Sequence, residues 1–168
     1  SMMPAIYGNT YDITQGPGFV AIRYEMVHET RVIPLDPSTS SGSPRAESRG
    51  DGRPHLSRAL ESYMGDARGH FEGDTLVVET TNFREKSAYG GASDRIRITE
   101  RFRPTSAKTI EWSITFDDAT TWARPWTAEW NFRATKNMLF EMACHEGNLS
   151  IENAMRGARF EEKRQTQR

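Results

Sequence analysis

Three consecutive runs of alternating apolar and polar residues lie between residues 95 and 134. One side of each run is mainly apolar: Ile96, Ile98 and Phe102 in the first, Ile110, Trp112, Ile114 and Phe116 in the second, and Trp126, Ala128, Trp130 and Phe132 in the third. Successive side chains of a strand point to opposite faces, so this period predicts half-buried antiparallel strands. A single carboxylate, Glu100, falls on the apolar side.

Shorter patterns extend the predicted sheet on both sides of these runs. Strands are predicted at residues 19–26, 30–35, 76–80 and 137–143, and a short helix at residues 55–64. Apolar residues at helical spacing predict a C-terminal helix over residues 149–165. The order is that of a β-meander without βαβ units, and a barrel removes exposed strand edges. We therefore predict an all-β, mainly antiparallel fold, a lipocalin-like β-barrel with the C-terminal helix packed outside, with a β-sandwich or cupin-like roll as the alternative.

Length and charge limit the functional classes. A chain of 168 residues with a net charge of −1 fits a single domain spanning 1–168 and argues against nucleic acid as the main partner. No apolar run approaches the ~20 residues of a membrane-spanning helix, so we expect no membrane partner. Residues 37–51 are rich in Ser, Pro, Gly and Arg and are expected to form a disordered surface insertion. The sequence leaves open whether the chain forms a homodimer.

Five motifs give the chain a resemblance to known sequences. VIPLD, GRPHL, RGHFEGDTLVVETTNF, RPWTAEW and ACHEGN, in that order, resemble an uncharacterised family of small, usually exported bacterial proteins. The resemblance covers almost the whole chain outside residues 37–50 and implies that residues 37–51 are a lineage-specific insertion. It also implies a periplasmic or secreted location, although no signal peptide opens this sequence. The family supplies motif positions and no chemistry, and its members more often have Arg and Trp where this chain has His70 and Phe71.

Glu100 is the leading candidate for catalysis. Burial among apolar side chains would raise the pKa of its carboxyl group and favour a role as general base. His55 or His145 would then act as the acid partner, and Arg124 would stabilise developing negative charge. The alternatives are a buried carboxylate paired with an Arg such as Arg124, or a bulge that turns Glu100 outward.

Histidines suggest a second, weaker hypothesis. His28, His55 and His145, together with Glu146, offer ligand types that bind transition metals. Their spacing matches no established metal motif, and adjacent strand residues point apart. We therefore expect no metal and no other cofactor.

Aromatic residues suggest a binding surface. The four tryptophans lie within a short span, and Trp at strand spacing suits either a core or a flat apolar ligand. The predicted ligand-binding residues are Trp112, Trp126, Trp130, Tyr24, Phe102 and Asn148.

These patterns together predict a protein that binds a small, partly apolar organic ligand, aromatic or sugar-like, inside the barrel. Cofactor-free isomerase or lyase activity by acid–base chemistry is the catalytic form of this hypothesis. A carrier or sensor without catalysis and a metal-dependent oxidoreductase using the histidines are the alternatives.

Overall fold

Eight strands and one helix make up the described part of the chain, residues 9–26, 29–36, 55–84, 91–141 and 149–166 of a computed structural model. The strands are β1 (Tyr11–Gly16), β2 (Phe19–Tyr24), β3 (Thr30–Pro34), β4 (Asp66–Glu72), β5 (Thr75–Thr81), β6 (Arg97–Ser106), β7 (Thr109–Asp117) and β8 (Trp126–Arg133), and the helix is α1 (Ser150–Thr166).

The strands form two antiparallel sheets with meander order. The first is β1-β2-β3 and the second is β4-β5-β6-β7-β8. Gly18 has a φ of 75° in the tight turn between β1 and β2, a conformation that glycine adopts without steric cost. The structure confirms the prediction of a mainly antiparallel all-β fold with a C-terminal helix.

Close contact at Gly69 joins the two sheets. Leu35, just after β3, forms a parallel bridge with Gly69 in β4, and the amide of Asp36 donates to the Gly69 carbonyl at 2.9 Å. A Cβ atom at Gly69 would lie 2.9 Å from Cγ2 of Ile33, so this approach requires glycine. The end of the first sheet therefore continues beside the second.

Side chains from the inner faces of the two sheets fill the space between them. Trp112 and Phe116 have 0% exposure at the centre of this core. Among the described strands, β1 pairs only with β2 and β8 only with β7. The sheets therefore show no closed barrel, and a packed core occupies the position expected for an open interior. Ring contact between Tyr11 and Phe132, with centroids 5.4 Å apart, marks the place where the edges of β1 and β8 approach each other.

Other local predictions had mixed outcomes. The alternation over the three central runs is confirmed, since the inner side chains of β6 and β7 are largely buried. Residues 58–60 form turns instead of the predicted helix, and residues 137–141 are not a strand. The predicted insertion at residues 37–51 lies outside the described residues.

Helix α1 begins and ends one residue later than predicted, but it does not pack as predicted. All its described side chains are exposed, including Ile151 at 81% and Phe160 at 62%, so it does not cover the outside of the sheet. In the part of the chain that the structure describes, no helix has the length and apolar character needed to cross a membrane.

Candidate functional site

A buried ion pair lies at the centre of the interface between the two sheets. Glu100 occupies the middle of the inner face of the second sheet, opposite Val78 in β5 and Ile114 in β7. Its Oε2 atom is 2.5 Å from NH1 of Arg31, which reaches across from β3, and the two side chains are only 4% and 9% exposed. The other guanidinium nitrogen, NH2, donates to Oγ1 of Thr80 at 2.7 Å. Each buried charge is thus compensated, as a low-dielectric core requires.

Tyr24 belongs to the same polar cluster. Its side chain is 4% exposed, and burial raises the pKa of its hydroxyl to about 12. The positive charge of Arg31 lowers this pKa, and the negative charge of Glu100 adds to the increase. Burial lowers the pKa of Arg31, but the interactions of its guanidinium with Glu100 and Tyr24 together outweigh this effect and hold the pKa above its ordinary value. Arg31 is therefore charged and Tyr24 is a neutral phenol at physiological pH.

The Tyr24 hydroxyl interacts with the Arg31 side chain, whereas Nε1 of Trp112, also buried, has no hydrogen-bond partner among the described residues. Trp112 is a diagonal neighbour of Glu100 on the inner face, because Glu100 lies opposite Ile114 and Phe102 lies opposite Trp112. The indole N–H of Trp112 can donate a hydrogen bond.

Arg31 is the functional candidate that the sequence prediction missed. It lies on the same side of β3 as buried Ile33, so it repeats the pattern that singled out Glu100: a charge on the apolar side of an alternating strand. Arg124, which was expected to serve Glu100, is exposed in the segment that precedes β8.

His55 does not meet Glu100. Its Nδ1 atom lies 3.1 Å from Oδ2 of Asp66 and its Nε2 atom lies 3.9 Å from Oε2 of Glu79. Asp66 and Glu79 alternate with the inner-facing residues of β4 and β5, so they belong to the outer face of the sheet. Glu100 and His55, one of its two predicted acid partners, are therefore on opposite faces of the sheet.

Hydrogen bonds explain how two of the motifs meet around His55. The amide of Leu56 donates to Asp66 at 2.8 Å, and Nδ2 of Asn82 donates to the carbonyls of Leu56 and Ser57 at 2.9 and 3.1 Å. These hydrogen bonds attach the end of the GRPHL motif to Asp66 at the start of β4 and to Asn82 just after β5.

A groove opens where β1 and β8, the outer strands of the two described sheets, face each other. Its volume is about 1040 Å³, and its lining combines β1, the hairpin between β6 and β7, and the end of β8. The aromatic lining is formed by Tyr11, Trp130 and Phe132, and all three side chains are partly buried. Polar groups lie beside these rings, among them Arg23, which pairs with Asp12 at 3.3 Å.

Only some of the predicted ligand-binding residues line this groove. Trp130 does, whereas Tyr24, Phe102 and Trp112 lie in the core. Trp126 is 37% exposed at the other end of β8 and stacks on Phe116, with ring centroids 4.4 Å apart.

Several predicted residues lie outside the described part of the chain: His28, His145, Glu146 and Asn148. Among the residues that the structure does describe, no group of three or more His, Cys, Asp or Glu side chains is arranged to hold a metal ion.

Comparisons of the chain with protein-family models, curated proteins and solved structures find no match. The case for a function therefore depends on the geometry of the groove and the polar cluster.

Proposed function

We propose that this protein binds a small, partly apolar organic molecule, aromatic or sugar-like, in the groove between β1 and β8. The observation that carries the proposal is the groove itself, about 1040 Å³ in volume and lined by the rings of Tyr11, Trp130 and Phe132. Ligand pockets are typically ~300–1,000 Å³, mostly apolar, and contain a few polar groups. The groove volume lies just above that range, and its lining has this composition.

Stacked rings give the groove a defined apolar wall. Trp130 and Phe132 both stack on the buried Trp112, with centroid separations of 5.2 and 5.3 Å. Packing on a fixed inner ring limits the rotation of both outer rings, so a flat ligand meets a surface that is largely ordered before binding.

The position of Glu100 favours binding without catalysis, as in a carrier or sensor. Its carboxylate is occupied by Arg31 and is not part of the groove lining. A general base must reach the proton that it removes, directly or through one water molecule. Acid–base isomerase or lyase chemistry by Glu100 is therefore the less favoured form of the proposal.

Protein NMR can test the groove with a matched pair of variants. A panel of soluble one- and two-ring aromatic compounds and methyl glycosides is titrated against the labelled protein, and the indole N–H signals of Trp130 and Trp126 are followed. We expect at least one compound to shift the Trp130 signal saturably and to leave the Trp126 signal in place.

Trp130→Ala should weaken binding of that compound by at least about tenfold, because truncating a buried aromatic contact typically costs more than about 1.4 kcal/mol. Trp126→Ala, on the same strand and face but outside the groove lining, is the control and should bind normally. A panel that leaves Trp130 unperturbed, or equal binding by a folded Trp130→Ala, would contradict the proposal.

A further inference from the structure

The charged residues that line the groove carry a net positive charge. Arg23, Lys108 and Arg133 are part of the described lining together with one carboxylate, Asp12, so three positive charges face one negative charge and leave a net charge of +2. The whole chain, in contrast, has a net charge of −1. Positive charge is therefore concentrated at the groove.

The two sides of the groove differ in how this charge is balanced. On the side of β1, Arg23 pairs with Asp12 at 3.3 Å, and Glu25 lies nearby, where its carboxylate accepts a hydrogen bond from the amide of Thr10 at 3.0 Å. The charge of this side is therefore compensated, and the excess of positive charge belongs to the hairpin between β6 and β7 and to the end of β8.

Lys108 and Arg133 are neighbours on that hairpin side. Thr109 lies opposite Arg133 in the pairing of β7 and β8, and the amide of Ala134 donates to the carbonyl of Lys108 at 2.9 Å. Neither the Lys108 nor the Arg133 side chain forms an ion pair with a residue that the structure describes. Two adjacent cations are thus left for an external anion.

The arginines on the outer face of β6 show the opposite arrangement. Arg97, Arg101 and Arg103 each form an ion pair with a glutamate of a neighbouring strand or turn, namely Glu79, Glu72 and Glu111. The chain therefore compensates its positive charges in the middle of the sheet and leaves them uncompensated at the groove.

The position of the aromatic rings relative to these cations indicates the shape of the ligand. Along β8, Phe132 directly precedes Arg133, and Trp130 comes two residues before Phe132. Since a strand rises ~3.3 Å per residue, the backbone positions of the cations lie ~3–7 Å beyond that of Phe132. This spacing suits a small ring with one acidic substituent.

We propose that the groove selects flat aromatic molecules that carry an anionic group such as a carboxylate. The ring of the ligand packs against Trp130 and Phe132, and its carboxylate accepts charge-assisted hydrogen bonds from Lys108 and Arg133. This inference rests on the proposed binding function and gives it a ligand class.

Benzoate, benzamide and benzamidine test the inference, because they share a ring and nearly the same size but are negative, neutral and positive at pH 7. Dissociation constants are measured by NMR titration of the Trp130 indole signal. We expect benzoate to bind roughly 2- to 30-fold more tightly than benzamide at low ionic strength, because each of two exposed charge pairs contributes a factor of roughly 1.4 to 5. Benzamidine should bind most weakly.

Salt provides a second measurement on the native protein. Raising the ionic strength from about 0.01 M to 1 M shortens the Debye length from about 30 Å to 3 Å, so most of the preference for benzoate should disappear. The affinity for benzamide, which depends on contacts with the rings, should not fall.

Variants locate the charges that matter. The double variant Lys108→Met and Arg133→Met keeps much of the apolar stems and should bind benzoate and benzamide about equally. Asp12→Asn removes the carboxylate of the lining and should strengthen benzoate binding. Arg95→Met is the control, because it removes an exposed cation outside the groove, just before β6, and should leave the preference unchanged.

The possible results discriminate between the two proposals. Benzamide or benzamidine binding as tightly as benzoate, a preference that survives 1 M salt, or an unchanged preference in the folded double variant would overturn the anion inference and leave groove binding intact. An equal loss of preference in Arg95→Met would overturn it as well, since the effect would then be one of net charge. Failure of all three compounds to perturb the Trp130 signal would instead contradict groove binding itself.

Discussion

Removing one partner of the Arg31–Glu100 pair should be among the most destabilising single changes in this fold. Glu100→Gln keeps the size of the side chain but leaves the guanidinium, which is only 9% exposed, without a counter-charge. Breaking a buried pair in this way typically costs about 3–5 kcal/mol. Since whole domains are stable by about 5–15 kcal/mol, the loss is a large share of the total.

Urea unfolding monitored by tryptophan fluorescence and far-ultraviolet circular dichroism measures this loss. At roughly 2–4 °C per kcal/mol for a chain of this size, the melting temperature should fall by about 6 to 20 °C. The matched control is Glu111→Gln, because the Arg103–Glu111 pair has a similar distance, 2.8 Å, but side chains that are 53% and 38% exposed. Exposed pairs contribute about 0–1 kcal/mol, so this variant should be nearly neutral.

A double variant separates the missing counter-charge from the missing packing. Arg31→Met combined with Glu100→Leu removes both charges and retains apolar volume, so it should be much less destabilised than the sum of the single variants Arg31→Met and Glu100→Leu. A loss below about 1 kcal/mol in Glu100→Gln, or a double variant as unstable as that sum, would refute the account of a compensated buried pair.

Three further predictions concern pH and the helix. Burial raises the pKa of Tyr24 from its ordinary 10.0 to about 12, so its stabilising contribution is complete below pH 10 and is lost as the pH rises through 12. Urea unfolding should therefore show that alkaline pH lowers the free energy of unfolding by about 2–3 kcal/mol more in the native protein than in Tyr24→Phe. Tyr63→Phe should behave like the native protein, and parallel pH curves for the native protein and Tyr24→Phe would contradict this. The hydroxyl of Thr121, with other donors, lowers the pKa of Asp118 well below its ordinary value, so its contribution is present above about pH 4 and is lost as the pH falls towards the lower folded value. Asp118→Asn should accordingly lower the melting temperature at pH 7 by an amount that shrinks in acid, and a difference that is constant with pH would count against it. Deleting residues 149–168 should leave the melting temperature unchanged within error, because the described side chains of α1 are all exposed and a 17-residue helix without packing is marginal in water; a clear drop would show that α1 packs on the sheet.

The sequence predicted β2, β3 and β5 to β8 because alternation is a local property, but it predicted neither β1 nor β4. The period that placed Trp112 and Phe116 on one face depends only on successive Cβ directions, and the structure buries both. Closure of the sheet is not local. It depends on whether β1 and β8 pair, and alternation is the same in an edge strand as in a paired one. The predicted ligand site was placed in the interior for this reason, whereas the groove lies between the outer strands β1 and β8 of the two described sheets.

Residue partners were harder to predict than residue faces. The apolar side of β6 identified Glu100 as buried, but its partner depends on how one sheet lies on the other. Arg31 could have been found from its alternation with Ile33, although nothing in the sequence places β3 above the middle of β6. His55 was misplaced because a motif position says nothing about the face of a sheet, and its contacts with Asp66 and Glu79 are on the outer one.

The ion pair and the groove are linked through the position of the first sheet. Arg31 is fixed on Glu100, and β1 is attached to β3 through β2, so this contact helps to set where the edge of β1 stands relative to β8. Tyr11 at that edge then meets Phe132 across the mouth of the groove. A charge in the core thus serves the site without touching the ligand: it compensates Glu100, keeps the neighbourhood of Tyr24 neutral overall, and fixes the spacing of the two aromatic edges. Loss of the pair should therefore weaken binding in the groove even in a variant that remains folded.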